Sequence, residues 1–344
     1  SSDNSDTSLA KEDDIVTVSF YADKEINTPT VTFYSGSSSV TNTSTTYTLI
    51  DSSYNQWSAA YTVNSQDTNG AVTFTIDYSD YAGNSGTQVT EADIDDATSV
   101  TIDTVSPTFT QSSILSDNSY DTSKGTTDNT ITLTFTASEE ISEPTIVFKS
   151  GGDSISNSSI TYENTNTDTY EWTASYVVSD LDTSGTVTYS YSISDLAGNN
   201  TTVHNVTTTI TIDNILPTIT KLSTTTKEGS YNADNTITIG VTFSKTISVT
   251  TTSSGEYPYI NLNSGANATA IYDSTLDDST NNIIYFNYDV NDGDTISILD
   301  AESLSPFDIT NTTIIDYIGN EADLTLTNSN FTNSLYSTGC LLYT

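Results

Sequence analysis

The sequence predicts an all-β protein, three tandem β-sandwich domains in an elongated row. Three observations carry this. Short apolar–polar alternations recur about every eight to twelve residues with turn residues between them, and no helical periodicity competes. The chain repeats itself: AVTFTIDYSDYAGN, followed by TIDTVSPT, returns as TVTYSYSISDLAGN, followed by TIDNILPT. Composition fits thin cores with wet faces: apolar residues are only 34%, yet 22 Tyr and 10 Phe alternate with Thr, Val and Ile throughout. That persistence also argues against a disordered chain.

Residues 1–12 are polar and acidic and read as an arm. Repeat one covers 13–106. Its strands read as Ile15-Val16-Thr17-Val18-Ser19-Phe20, then Thr30-Val31-Thr32-Phe33-Tyr34, residues 57–63, residues 72–78 and Val100-Thr101-Ile102. Signals such as Asp67-Thr68-Asn69-Gly70 supply turns. Repeat two, 107–216, matches it at one offset: Phe20 falls on Phe135, Pro29 on Pro144, Gly36 on Gly151, Trp57 on Trp172, Gly83 on Gly198. One register held over so many Gly, Pro and Trp positions is not chance. The offset shortens before Asp103/Asp213, so repeat one carries an insertion near EADIDDATS that reads as a longer loop. Repeat three, 217–327, keeps the entry Asp234-Asn235-Thr236-Ile237 and the late turn Asp316-Tyr317-Ile318-Gly319-Asn320, with a different middle. Residues 328–344 form a tail.

Repeats one and two resemble bacterial Ig-like domains of large secreted surface proteins, through DNTITLTFTASEEISEPTIVFKSGG, EWTASYVVSDLDTSGTVTYSYSISDLAGN and TIDNILPT. Repeat three resembles a sister repeat through EGSYNADNTITIGVTFSKTISV, PYINLNSG and DYIGN. The resemblance implies an extracellular, cell-surface setting and a stalk, adhesin, surface-layer or filament role.

The net charge is −38 with seven Lys plus Arg. Phosphate neutralisation and binding to anionic membranes both need basic residues, so nucleic acid and anionic membrane surfaces are excluded as partners, and no direct membrane insertion is expected. Such charge keeps a surface soluble or collects cations. One cysteine, Cys340, allows no disulfide within the chain and no cysteine-rich zinc site. No apolar run reaches membrane-spanning length. The opening SSDNSDTS carries neither an initiator Met nor a signal peptide, so a mature secreted form or a piece of something longer is expected.

No catalytic site is expected. His204 is the only histidine, no Gly-x-Ser-x-Gly elbow occurs, and no nucleophile–base pair can be assembled. Carboxylate pairs for glycosidic chemistry cannot be singled out among 45 acids. Trp57 and Trp172 stand at one strand position, which reads as core rather than a sugar platform.

Two readings remain open for the Asp-x-Ala-Gly-Asn turns. Gly takes positive φ while Asp and Asn satisfy turn backbone. Alternatively the turn Asp and Asn, the exit Asp and the next entry Asp converge on Ca2+, which takes about six to eight oxygens. The candidates are Asp80, Asn84, Asp103 and Asp128 at the first junction and Asp195, Asn199, Asp213 and Asp234 at the second. Related repeats often bind calcium at such junctions. Asp13 and Asp14 would be the counterparts at the free end. The third turn keeps Asp316 but no exit Asp follows. Sequons mark Asn42, Asn157, Asn199, Asn200, Asn205, Asn267, Asn311 and Asn330 as glycosylation candidates.

The Pro-bearing exits leave little slack, so stiff junctions are expected. Domain one is expected to lack a first strand, while the tail carries Phe331, Leu335, Tyr336, Cys340, Leu341, Leu342 and Tyr343. These are the assembly candidates: a tail strand completing domain one of the next copy. The function expected is a structural subunit of a surface filament or array, a homopolymer assembling head to tail and stiffened by calcium. The alternative is an adhesin stalk that binds surface glycans or cells.

Overall fold

The computed structural model describes the chain except residues 42–44, 54, 96, 157–158, 228, 252–254, 266, 295, 297–298, 328–339 and 343–344, and gives backbone alone for 111–112, 229 and 340–342. It is all-β, as the sequence predicts, with two short 3-10 turns among the described residues, Glu91–Asp93 and Ser274–Leu276.

Three apolar cores alternate with the polar outer faces of their strands. In domain two, Phe109–Ser116, Thr130–Ala137, Glu171–Val177 and Thr161–Asn166 form one sheet. It faces Lys124–Gly125, Asn200–Ile212, Gly185–Ser194, Thr145–Ser150 and Asp153–Ser154. Thr130–Ala137 alternates half-buried and buried at every residue, the period expected of a strand with one wet face. Its Ile131, Leu133 and Phe135 meet Phe148, Tyr176 and Ile193 between the sheets. Trp172 lies in this core at 9% exposure, as expected of a structural tryptophan.

Domain one repeats the plan with Ile15–Tyr21, Gln56–Thr62 and Thr46–Asp51 against Thr101–Ile102, Gly70–Asp77 and Thr30–Ser35. The insertion interrupts its last strand: Val89–Thr90 and Thr101–Ile102 both pair with Gly70–Asp77, where domain two has the unbroken Asn200–Ile212. Domain three gathers Ile219–Thr224, Thr236–Phe243, Ile283–Asp289, Thr269–Tyr272, Tyr259–Asn261 and Phe307–Asp308 into one sheet, and Ile247–Thr251 pairs with Thr312–Asp316 beside it.

Two expectations about the ends change. Residues 1–12 are not a free arm. Ser2 bridges Val16, Leu9–Ala10 pairs in parallel with Thr101–Ile102, and Ala10 is fully buried. The arm is held because this parallel seam closes the sandwich, as Lys124–Gly125 does with Asn200–Ile212 in domain two. The tail also has a domain to join. The backbone of Cys340–Leu342 pairs in parallel with Gly229–Tyr231, the same seam in domain three. The other assembly candidates, Phe331, Leu335, Tyr336 and Tyr343, lie outside the described residues, as do the sequons Asn42, Asn157 and Asn330.

Candidate functional site: the domain junctions

The polar chemistry concentrates where one domain meets the next, and both junctions are built alike. Each receiving domain offers its late turn. In domain two, Asp195 accepts from the backbone N–H of Asn199 at 2.8 Å and from its amide at 2.7 Å. Gly198 closes the turn at φ 88°, a conformation that favours glycine. The Asn199 amide then reaches back to the exit carbonyl of Asp103 in domain one, 2.8 Å away. In the other direction, Asn4 of domain one donates to the Ala197 carbonyl at 2.8 Å.

The second junction repeats each bond. Asn320 donates to the Asp213 carbonyl at 2.9 Å and to Asp316 at 3.0 Å. Asn118 donates to the Ile318 carbonyl at 2.9 Å while a further 2.8 Å bond to Asn129 holds it in place. Asn118 and Asn320 are each only 4% exposed. Buried amides bonded on both sides lock the angle between domains, because any rotation leaves a buried polar group unpaired.

The carboxylates group differently from the sequence expectation. An exit Asp meets the turn of the domain that follows it, not the turn of its own. Asp103 therefore lies with Asp195, and the third member is Glu139, which was not among the candidates. One carboxylate oxygen from each lies within 4.8 Å of the other two. Burial, then the charges of Asp103 and Asp195, push the Glu139 carboxyl above its ordinary value. At the second junction the position of Glu139 carries Lys245. Each follows a serine whose N–H bonds the strand entering its domain, Ser138 to Thr108 and Ser244 to Thr218. The Lys245 ammonium lies 2.8 Å from Asp213 and 3.2 Å from Asp316, and also donates to the Ile215 carbonyl. Burial pulls its pKa down, but the bonds to the two carboxylates outweigh this and raise it. One junction thus contains its own cation. The other presents three carboxylates, a donor set of hard oxygens suited to a hard divalent ion.

The entry acids do not join either group. Asp128 and Asp234 are exposed and hold φ of 69° and 74°, and their N–H groups bond Val178 and Val290. They are turn residues in the left-handed region, which Asp tolerates; Asp13, at φ 71°, does the same in domain one. Asp14 instead accepts from the Asn4 amide at 2.6 Å. Asp80 and Asn84 form the same turn on domain one. There the bonds from Asn84, then the Lys24 ammonium at 2.8 Å, hold the Asp80 carboxyl well below its usual range.

Among the sequons, Asn199 is committed to the junction and Asn200 donates to Ser192, Ile193 and Ser194. Asn205, Asn267 and Asn311 are exposed with φ between 55° and 68°; Asn311 donates to Glu256 at 2.6 Å. A cavity of about 340 Å³ beside Tyr170 and Trp172 is lined by Glu140, Asn164 and Asp168.

No family model matches the chain, and no curated protein matches it. Among solved structures it is similar to a marsupial T cell receptor, at 12% identity over 87% of this chain and 95% of that one, with a TM-score of 0.36. A mouse nectin-like ectodomain is similar at 8% identity over 87% and 92%, TM-score 0.26. A fragment of titin is similar at 11% over 87% and 91%, TM-score 0.25. All are multidomain proteins of low overall superposition, and the Ig-like sandwiches are read from this chain's own sheets. No helix among the described residues is long and apolar enough to cross a membrane.

Proposed function

We propose that the chain is an extracellular structural protein, a subunit of a cell-surface filament or array that joins copies head to tail, with calcium at its first junction. One observation carries the reading. The turn that receives a preceding domain at both junctions is present a third time, on domain one, with Asp80 and Asn84 bonded as Asp195 and Asn199 are. Tyr81 in that turn is 70% exposed. Among the described residues the Asn84 amide bonds Asp80 alone, whereas Asn199 and Asn320 each hold a neighbour's exit carbonyl. Lys24 already sits on Asp80, as Lys245 sits on Asp316. Such a contact between two different faces propagates rather than closing.

Copies carrying −38 each repel one another, so cations favour their approach. Calcium would be held by Asp103, Glu139 and Asp195, bridging domains one and two where Lys245 bridges domains two and three. It supplies stiffness and no chemistry. Electron microscopy of purified protein in calcium, then in chelator, tests the reading. Polymers that loosen on chelation are expected. Polymers indifferent to chelation remove the calcium role, and single rods in both conditions replace the assembly reading with the adhesin stalk.

A further inference from the structure

Domain two differs from the other two at one turn. Asn55 accepts from the Ala22 N–H in domain one, Tyr170 from Ala137 in domain two and Asn282 from Phe243 in domain three. The three residues therefore hold one structural position. All are left-handed, at φ 47°, 54° and 57°. Asn tolerates that region, whereas a bulky aromatic residue seldom enters it. Backbone strain of this kind gathers at binding sites, where the surroundings hold it in place.

Tyr170 is half-buried and packs against the core of domain two. It also lines the cavity of about 340 Å³, with Glu140, Asn164, Asp168 and Trp172. The loop that carries it is tied by its own side chains. Asn166 accepts from the N–H groups of Asp168 at 3.0 Å and Thr169 at 3.2 Å, and the Thr165 hydroxyl donates to Glu171 at 2.8 Å. Among the described residues, the side chains of Glu140, Asn164 and Asp168 make no hydrogen bond or ion pair within the chain. The matching positions in domain one are Glu25, Leu49, Ser53, Asn55 and Trp57. Domain one thus keeps the tryptophan and one carboxylate. The tyrosine, the amide and the second carboxylate are particular to domain two, and all three meet at one cavity.

The lining selects the ligand. Carboxylates only accept hydrogen bonds, so the ligand must donate. Two of them repel an anion. Tyr170 supplies the ring surface, because Trp172 is only 9% exposed. Cages for quaternary ammonium groups surround the cation with aromatic faces. A single ring suits a flat apolar face with polar groups at its rim, which is the shape of a pyranose. The volume is at the small end of ligand cavities, about 300–1,000 Å³, and so takes a sugar unit rather than a long chain. We propose that this cavity is a glycan subsite. Tyr170 is the platform for the apolar face of a neutral pyranose, Glu140 and Asp168 accept from its hydroxyls, and Asn164 both donates and accepts. The site lies within domain two and rests neither on the joining of copies nor on calcium at the first junction.

Trp57→Phe leaves Trp172 as the sole tryptophan of the full chain, and its fluorescence reports on the cavity. In chelator, chitotetraose, cellotetraose and mannotetraose are each titrated to about 10 mM, ten times a Kd of about 1 mM. At least one should give a saturable change. Tyr170→Phe in the same background should keep it. Tyr170→Asn, which installs the residue of domains one and three, should weaken binding at least about tenfold while the melting temperature holds or rises, because Asn relieves the left-handed strain. No saturable response to any of the three sugars overturns the proposal. A Tyr170→Asn chain that binds as before, or that melts well below its parent, makes Tyr170 a core filler and overturns it too. So does saturation by tetramethylammonium in place of the sugars, which would assign the cavity to cations.

Discussion

Replacing Glu139 with lysine should convert the first junction into a copy of the second. With oxygens within 4.8 Å, each pair of ionised carboxylates repels by about 3.5 kcal/mol at an effective dielectric near 20. Glu139 takes part in two such pairs. Its side chain is partly open to solvent, so screening brings each to about 1 kcal/mol. Glu139→Lys removes both repulsions and adds two attractions of the kind Lys245 makes with Asp213 and Asp316. The net expectation in chelator is a gain of about 2–3 kcal/mol, visible as a rise of several degrees in the melting transition. Calcium should then add little, because the ammonium occupies the place between the two domains. Differential scanning calorimetry with calcium and with chelator reads both effects. A variant that melts no higher than wild type in chelator, or keeps the wild-type calcium shift, refutes the argument. Lys245→Glu is the converse: it should destabilise the second junction and make it calcium-dependent.

The remaining predictions use other bonds. Glu139 has its pKa raised in the folded chain, so folding favours its protonated form. In chelator, stability should fall as pH rises from the ordinary glutamate value through the raised one, then level off; a melting series in Glu139→Gln should lose that slope. The Tyr288 hydroxyl donates to Asp294 at 2.7 Å and accepts from Ser264 at 2.9 Å, while Tyr61 and Tyr176, at the equivalent position, have buried hydroxyls with no hydrogen-bond partner among the described residues. Tyr288→Phe should cost about 1–2 kcal/mol in denaturant titration, and Tyr176→Phe should be neutral or stabilising. Asn118→Ala takes the amide donor from the Ile318 carbonyl and one of two donors from the Asn129 side-chain oxygen, which keeps the Thr126 N–H. It should cost about 1–3 kcal/mol and broaden the distribution of angles between domains two and three in single-particle images.

The strands were legible where one face is buried and the other wet. Thr130–Ala137 and Ile15–Tyr21 announce themselves by alternation. Thr46–Asp51 and Thr161–Asn166 did not, and the reason is physical: they are sheet-edge strands exposed along almost their whole length, so nothing forces an apolar residue onto every second position. The turns and exits were legible as chemistry but not as geometry. Sequence order suggests that Asp80 and Asp103, in one repeat, belong together. In space a domain's late turn lies at the end where its first strand enters, and its exit lies at the opposite end. The exit Asp103 therefore meets Asp195, one repeat later.

Glu139 belongs to no motif, and its signal appears only when the three repeats are laid over one another: DKEI at residues 23–26, SEEI at 138–141, SKTI at 244–247. The surrounding hydrogen bonds are the same at both junctions, so the charge at this one position sets the electrostatic character of each. On the proposed reading, a lysine would make the junction self-sufficient at any calcium concentration, and a glutamate would make its stiffness depend on the medium. Lysines are scarce in this chain, yet two of the three copies of this position carry one, each bonded to a turn Asp. Domain one, whose turn faces outward, has the lysine form. A copy docking there would bring a carboxylate or carbonyl to a cation already in place, so joining copies would need less divalent ion than stiffening each one. Chelation should then bend a polymer at its first junctions before it separates the subunits, and images taken during calcium removal would show kinked filaments ahead of short ones. Filaments that shorten without kinking would place the calcium dependence at the contact between copies instead.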